Sequence, residues 1–288
     1  MRILTSLWTF ALVAMGGAAA AQETFEGLET IGKPVDRGVN FQPAATELMR
    51  DLVFLDNMIL WIITAISVFV TLLLIVVLLR FNQKRNKTPA TFTHHSALEV
   101  TWTLVPVAIL VAIAIVSVPT LFKQQRIPQA DITIKVTGYQ WYWGYEYVDD
   151  GFAFDSVMLQ REELADYGYA PDEYLLATDT AVVVPVGKTI VVQVTGADVI
   201  HAWTIPSFGV KQDAVPGRLA ELWFAAEQEG VYFGQCSELC GKDHSYMPIT
   251  VKVVSQEQYD QWLAEAKAEY AALPASMDGQ APLLLASN

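Results

Sequence analysis

Two long stretches without a charged residue constrain the fold of this 288-residue chain more than any other feature. They are Asn57–Leu79 and Val100–Phe122, each 23 residues long. About 20 apolar residues cross the hydrocarbon layer of a membrane, and core helices of soluble proteins are seldom so long and uninterrupted. Both stretches therefore predict transmembrane helices. Pro106 and Pro119 in the second stretch are tolerated in a membrane helix near its ends or against a partner.

The loop between the two stretches sets the orientation. Residues 80–87 carry four basic side chains and no acidic one. The positive-inside rule places this loop in the cytoplasm, so both ends of the hairpin face the other side of the membrane. Two helices with little polar surface form no channel alone. They anchor a domain or pack on a larger membrane partner. Glu99 lies at the cytoplasmic border of the second helix, where it is either a solvated end residue or part of a proton or ion path.

The N-terminus predicts export. Arg2 is followed by the mostly apolar run Ile3–Val13, and Ala19–Ala21 supplies a small-residue cleavage site. These features are typical of a secretory signal peptide removed before Gln22. The alternative, an uncleaved anchor, is disfavoured by the cleavage site.

Charge is distributed unevenly along the chain. Residues 1–122 hold 8 basic and 8 acidic residues, whereas residues 123–288 hold 10 basic and 23 acidic ones. The whole net charge of −13 therefore comes from the second part. Such acidity argues against binding to nucleic acid or to anionic lipid. If the charges share a face they attract a cationic partner, and if not they form a solvated surface that aids solubility.

From Asp131 onward the sequence predicts short strands separated by turns. Ile132, Ile134 and Val136 alternate with polar residues, as expected for a strand with one buried face. Short strands punctuated by Gly and Pro favour an antiparallel sandwich or barrel. One helix begins after Ser255, which forms a capping box with Gln258. The further predicted strands are Gln140–Tyr147, Ala181–Val186, Thr189–Thr195, Ala202–Ile205, Glu221–Phe224, Val231–Gln235 and Ile249–Val254.

The segment Tyr139–Tyr147 contains six aromatic residues in nine positions. As a continuous strand it would place residues 139, 141, 143, 145 and 147 on one face. That is more than the core of a small sandwich needs. It indicates either a core strand with an aromatic interface belt or a π-rich contact surface.

Both cysteines of the chain lie in the segment Cys236–Met247, together with His244. A disulfide between Cys236 and Cys240 would close a very short loop and would leave His244 and Met247 unexplained. Thiolate, imidazole and thioether donors together select copper, whereas zinc sites prefer Cys and His without Met. Two cysteines allow two coppers bridged by both sulfurs, which requires one more imidazole. His94 and His95 belong to the cytoplasmic loop, which leaves His201 as the candidate.

These residues together resemble the cytochrome c oxidase subunit II family, the copper A subunit of bacterial aa3-type haem–copper oxidases. The resemblance covers most of residues 45–270. It includes the hairpin, the run Gly138–Tyr147, His201, the segment Pro206–Arg218 and the cysteine loop. It implies a two-helix transmembrane hairpin followed by an all-β, cupredoxin-like Greek-key sandwich. The expected organisation is a signal peptide (1–21), a periplasmic N-terminal segment (22–50), the hairpin (51–122, with spans 57–79 and 100–122 and cytoplasmic loop 80–98), a copper domain (123–270) and a disordered or removed tail (271–288).

Carried over by position, the resemblance also implies a set of site residues. Cys236 and Cys240 would bridge two coppers. One copper would also bind His201 and Met247, and the other His244 and the backbone carbonyl of Glu238. The Glu238 side chain would reach a magnesium ion shared with subunit I. Trp141 matches the residue where electrons enter from cytochrome c, and Glu99 the mouth of a proton path in the neighbouring subunit. The acidic docking positions would be Glu146, Asp155, Asp179 and Asp198.

The resemblance implies a subunit that accepts electrons from basic cytochrome c and passes them to haem in subunit I for oxygen reduction coupled to proton pumping. The expected location is the bacterial inner membrane, with both termini periplasmic and with other oxidase subunits as partners. The alternatives are a membrane-tethered copper carrier or chaperone, and a structural domain with a disulfide. A carrier needs exposed, exchangeable ligands and has no need of the aromatic strand.

Overall fold

The computed structural model describes residue 25, residues 27–88 and residues 90–270. The predicted signal peptide and the predicted C-terminal tail lie outside the described residues. The expected cleavage before Gln22 and the expected disorder after Leu273 therefore stay predictions.

The two apolar stretches form two helices, α1 (Glu47–Arg80) and α2 (Ser96–Gln125). Their most apolar windows have mean hydropathies of 3.1 and 2.6 and are not buried within the described chain. Both helices are thus long and apolar enough to span a membrane. At 1.5 Å per residue α1 is about 50 Å long, which exceeds the roughly 30 Å of hydrocarbon. Its charged first turns therefore extend beyond the span that begins at Asn57.

The remaining residues form a two-layer β sandwich and a third helix, α3 (Gln256–Tyr270). One sheet has the strand order β1-β10-β11-β5 and the other β4-β3-β2-β6-β9, while β7 and β8 form a separate pair. The strands are β1 (Thr30–Gly32), β2 (Ile132–Tyr139), β3 (Tyr142–Tyr147), β4 (Phe152–Ser156), β5 (Val182–Pro185), β6 (Thr189–Gly196), β7 (His201–Ile205), β8 (Val210–Ala214), β9 (Ala220–Ala225), β10 (Gly230–Gln235) and β11 (Pro248–Val254).

The predicted sandwich is confirmed, but its pairing is not purely antiparallel. β2 pairs in parallel with β6, β11 with β5, and β1 with β10. Local alternation reports which face of a strand is buried and carries no information on the direction of its neighbour. The strands β1, β4 and β8 were not expected from the sequence. The capping box before α3 is present, because Ser255 and Gln258 exchange hydrogen bonds of 3.2 and 3.3 Å.

The aromatic segment folds differently from the single predicted strand. The chain reverses at residues 140–141, so that Tyr139 at the end of β2 pairs with Tyr142 at the start of β3. Trp143, Tyr145 and Tyr147 are buried in the core. Tyr139 and Tyr142 stack on the other face with ring centroids 4.8 Å apart. The expected face of five rings is therefore wrong, because the turn breaks the alternation. Trp141 lies at the tip of this turn.

Candidate metal centre

The predicted donor residues come from three strand ends at one end of the sandwich. His201 begins β7, Cys236 follows β10 directly, and Met247 directly precedes β11. Backbone hydrogen bonds hold these ends together: the Cys236 amide donates to the Met247 carbonyl at 3.3 Å, and the Ser237 amide donates to the Ala202 carbonyl at 3.0 Å. The strands thus fix the donors before any ligand binds.

The two cysteines are free thiols whose Sγ atoms lie 3.8 Å apart. Both side chains are buried, with relative exposures of 5% for Cys236 and 4% for Cys240. The alternative of a structural disulfide is therefore not what the structure contains. At this separation, both sulfurs could coordinate the same pair of metal ions.

Four further donors surround the two sulfurs, two beside each. His201 Nδ1 lies 3.9 Å from Cys236 Sγ, and the Glu238 carbonyl oxygen lies 3.3 Å from it. His244 Nδ1 and Met247 Sδ each lie 3.5 Å from Cys240 Sγ. The donor atoms of His201, Cys236 and Cys240 lie within 4.8 Å of one another. Two thiolates, two imidazoles, a thioether and a carbonyl match the donor preferences of copper.

The ionisation of the two thiols also favours a bound cation. Burial raises the pKa of Cys236, but hydrogen bonds with His201, with the backbone of Glu238 and Ala202 and with His244 together outweigh this and bring the pKa to about 7. Burial and the neighbouring Cys236 raise the pKa of Cys240 to about 12. Without a cation the two sulfurs therefore do not both ionise at neutral pH. A metal ion between them removes that obstacle, since coordination deprotonates thiols.

A carboxylate orients the buried His201 ring. Asp198 Oδ1 lies 2.9 Å from His201 Nε2, the ring nitrogen that faces away from the cysteines. The other carboxylate oxygen accepts a hydrogen bond from the Gln140 backbone amide at 2.7 Å. Burial raises the pKa of Asp198, but the His201 contact and backbone donors outweigh it and hold that pKa below its ordinary value. Metal-bound histidines commonly have such a carboxylate partner. Asp198 was predicted only as a docking residue, although its position three residues before His201 could have indicated this contact.

The turn at residues 140–141 touches the cysteine loop directly. Trp141 Nε1 donates to the Cys240 carbonyl at 3.2 Å, and Gln140 Nε2 donates to the same oxygen at 2.8 Å. On the inner face, Trp143 Nε1 donates to the Met247 carbonyl at 3.3 Å. Nothing in the sequence pattern indicated these contacts of Gln140 and Trp143. A single hydrogen bond thus joins the partly exposed Trp141 indole to the backbone of the cysteine loop.

Comparison with known proteins identifies the family. The family model for the transmembrane domain of cytochrome c oxidase subunit II matches residues 34–120, and the model for its periplasmic domain matches residues 132–254.

The chain belongs to the cytochrome c oxidase subunit II family.

Individual relatives agree with this. Cytochrome c oxidase subunit 2 of Cereibacter sphaeroides is 59% identical over 264 residues, covering 87% of this chain and 86% of the relative. Its counterpart in Phytophthora megasperma is 40% identical over 231 residues, covering 78% and 85%. The crystal structure of the periplasmic domain of subunit II (CoxB) of Bradyrhizobium japonicum is 53% identical, with a TM-score of 0.46, covering 50% of this chain and 99% of that one. The sandwich is the periplasmic domain of subunit II that the family model describes.

Other residues singled out in the subunit II sequence lie apart from the donors. Glu146 pairs with Lys135 at 3.3 Å on β2 and β3. Asp179 accepts from the Val157 and Thr180 amides at 2.8 and 2.7 Å. Burial is the main cause that raises the pKa of Asp155 and of Asp179. Glu99 lies in the first turn of α2, about 40 Å of helix from Gln125, and accepts the His95 amide at 3.0 Å.

Proposed function

We propose that this chain accepts electrons from cytochrome c at a dinuclear copper centre and passes them to haem in subunit I of the oxidase. There oxygen reduction is coupled to proton pumping. The observation that carries the proposal is the pair of free, buried sulfurs 3.8 Å apart with two further donors beside each. A fully protein-supplied donor set leaves no open position for a substrate, which favours electron transfer over catalysis at the metal.

Each donor has a place in the proposed centre. Cys236 and Cys240 would bridge the metals. His201 and Met247 would complete one copper position, while His244 and the Glu238 carbonyl would complete the other. Two copper ions held this way would supply a one-electron carrier. The chain's own contribution is to hold the donors in a dry, fixed arrangement, so that little has to move when an electron arrives or leaves.

Trp141 is the proposed point where electrons enter. Its indole is partly exposed at the tip of the turn and donates a hydrogen bond to the Cys240 carbonyl at 3.2 Å. A basic cytochrome c would be steered by the acidity of residues 123–288, so that association weakens as salt rises. The proposed docking carboxylates are Glu146, Asp155, Asp179 and Asp198.

Two further roles belong to the proposal. Glu238 lies in a row of three exposed residues with Ser237 and Leu239, where its carboxylate is available to a magnesium ion shared with subunit I. Glu99 would lie at the mouth of a proton path of the neighbouring subunit. The proposed topology is two passes through the bacterial inner membrane with both termini periplasmic, supported by the basic loop.

A copper carrier or chaperone is the rival function. It requires ligands that exchange with a partner at the surface. His201 and Met247 have relative exposures of 0% and 1%, and both cysteines are buried. Burial of this kind favours a resident centre.

The test uses the full-length chain purified with its oxidase partners. We expect two coppers per chain and an EPR signal of a mixed-valence pair with the unpaired electron shared by both nuclei. A single-copper hyperfine pattern would contradict the proposal. So would a Cys236–Cys240 disulfide without copper in the native complex.

A further inference from the structure

The first turns of α1 act as a stalk between the membrane and the sandwich. This stalk comprises residues 47–56, which precede the predicted span at Asn57 and include four charged side chains. Its N-cap is Thr46, whose Oγ1 accepts the Met49 amide at 3.0 Å and donates to the Phe208 carbonyl at 2.8 Å. The helix therefore begins on the surface of the sandwich itself.

The backbone on both sides of this cap is also bonded to the sandwich. The Ala45 amide donates to the Ser207 carbonyl and the Glu227 amide donates to the Ala45 carbonyl, each at 2.9 Å. Gly209 faces the stalk, with a φ of +70°, and a Cβ there would lie 2.9 Å from the Met49 Cα. A glycine is needed for the conformation and for the close approach.

This attachment leads directly to the donor strands. Phe208 is fully buried and its ring packs on Tyr232 of β10, with centroids 4.8 Å apart. β10 ends next to Cys236, and β7, which begins with His201, ends next to the Pro206–Phe208 turn. A tilt of the stalk is therefore passed through packed elements to two of the proposed copper donors.

Ion pairs fix the stalk at two further points. Arg50 forms a bidentate salt bridge with Glu227, with nitrogen–oxygen distances of 2.5 and 2.9 Å. Lys123, near the end of α2, contacts both Glu47 and Asp51 at 2.6 Å. Trp223 of β9 donates to the Lys123 carbonyl at 3.3 Å. The stalk is thus attached to the turn after β7, to the loop after β9 and to α2.

A cavity of about 420 Å³ that opens to the surface lies between the stalk, the end of α2 and the sandwich, and Leu48, Leu52 and Trp223 are among the residues that line it. The ion pairs of Arg50 and Lys123 join the stalk to the sandwich and to α2 beside this cavity. Exposed ion pairs contribute little to the stability of a fold. Their removal is therefore not expected to unfold the sandwich.

We propose that Arg50, Glu227 and Lys123 are positioning residues that hold the copper donors at a fixed height and tilt above the membrane. This rests on the proposed function, because electron transfer to a membrane-embedded acceptor falls exponentially with distance. The three side chains touch neither the donors nor the turn that carries Trp141.

The test compares variants of the intact oxidase in membranes. Arg50→Glu places like charges at the junction, and the double variant Arg50→Glu with Glu227→Arg restores an ion pair. Lys123→Met leaves Glu47 and Asp51 without their cation, and Lys123→Arg retains it. We expect Arg50→Glu and Lys123→Met to slow electron departure from the copper centre several-fold, because the rate of electron transfer falls exponentially with the distance between donor and acceptor. The copper spectrum and the KM for cytochrome c should stay unchanged in both variants. The double variant and Lys123→Arg should transfer electrons at the wild-type rate.

Unchanged departure rates in Arg50→Glu and Lys123→Met would overturn the proposal. If both variants failed to assemble while the full-length chain still bound copper, the junction would be a structural anchor only, which also overturns it. A second measurement does not depend on the electron donor: pulsed EPR between the copper centre and a spin label at Leu60→Cys, in the full-length chain in a bilayer. Its distance distribution should broaden in the variants. If cytochrome c failed to reduce the wild-type centre, the proposed function would fail while this measurement still decided the positioning role.

Discussion

Asp198 links the histidine of the metal centre to the turn that carries Trp141. One carboxylate oxygen lies 2.9 Å from His201 Nε2, and the other accepts the Gln140 amide at 2.7 Å. Its side chain is 34% exposed. The same residue is also proposed to dock a basic cytochrome. Its role in orienting His201 and its role in docking can be separated by different measurements.

We expect Asp198→Asn to weaken copper binding about tenfold, because a carboxylate partner fixes the ring and raises the basicity of a histidine ligand. Copper titration of the full-length chain, followed by the absorption of the centre, measures this. Glu146→Gln is the matched control, since Glu146 pairs with Lys135 on the outer face. It should leave the copper affinity unchanged and lower only the salt dependence of cytochrome c binding. If Asp198→Asn behaved as the control does, its contact with His201 would have no role in metal binding.

Trp141→Phe should slow electron transfer from cytochrome c while copper stays bound. The substitution removes the indole donor to the Cys240 carbonyl, but Gln140 Nε2 still donates to that oxygen at 2.8 Å. The loop should therefore keep its conformation. Stopped-flow reduction of the copper centre measures the rate.

Gln140→Ala provides the complementary change. It removes the other donor to the same carbonyl and leaves the indole in place, so electron transfer should stay near the wild-type rate. Equal slowing in the two variants would mean that the hydrogen bonds to Cys240, rather than the indole ring, control electron arrival.

The sequence was sufficient for the hairpin and the donor set. An uncharged run of 23 residues predicts a membrane-spanning helix whatever tertiary contacts the helix makes. Four of the five side-chain donors and the one carbonyl donor lie within the twelve residues Cys236–Met247, and the scarcity of histidines singled out His201. The structure places the other four donors around the two sulfurs, of which the Glu238 carbonyl was expected from the family resemblance and not from spacing.

Other features depended on contacts that spacing does not contain. The turn at residues 140–141 reverses an alternation that looked continuous, so the expected aromatic face was wrong. The stalk contacts join residues far apart in sequence, such as Arg50 and Glu227. Side-chain pairs at such separations follow from the docking of one element on another, and they cannot be derived from a local pattern.

Gly138→Ala should displace the His201 ring. A Cβ at Gly138 would lie 2.8 Å from His201 Cδ2 and 2.9 Å from Cγ, and the ring is fully buried, with little room to retreat. We expect reduced copper occupancy and an altered EPR spectrum. Gly144→Ala on the neighbouring strand is the control, because its Cβ would meet Tyr139 and Asp155, away from the donors. An unaltered centre in Gly138→Ala would show that the ring position is adjustable.

Met247→Leu should change the copper centre without unfolding the sandwich. Met247 Sδ lies 3.5 Å from Cys240 Sγ, and the side chain has a relative exposure of 1%. Leucine has a similar volume, and such exchanges usually lower the free energy of unfolding by less than about 1.5 kcal/mol. A thioether is a weak copper ligand, so both coppers should remain while the absorption and hyperfine pattern change. Met158→Leu, which lies away from the donors, should alter neither. Loss of the fold in Met247→Leu, seen by thermal unfolding of the copper-free chain, would instead indicate that Met247 serves mainly in packing.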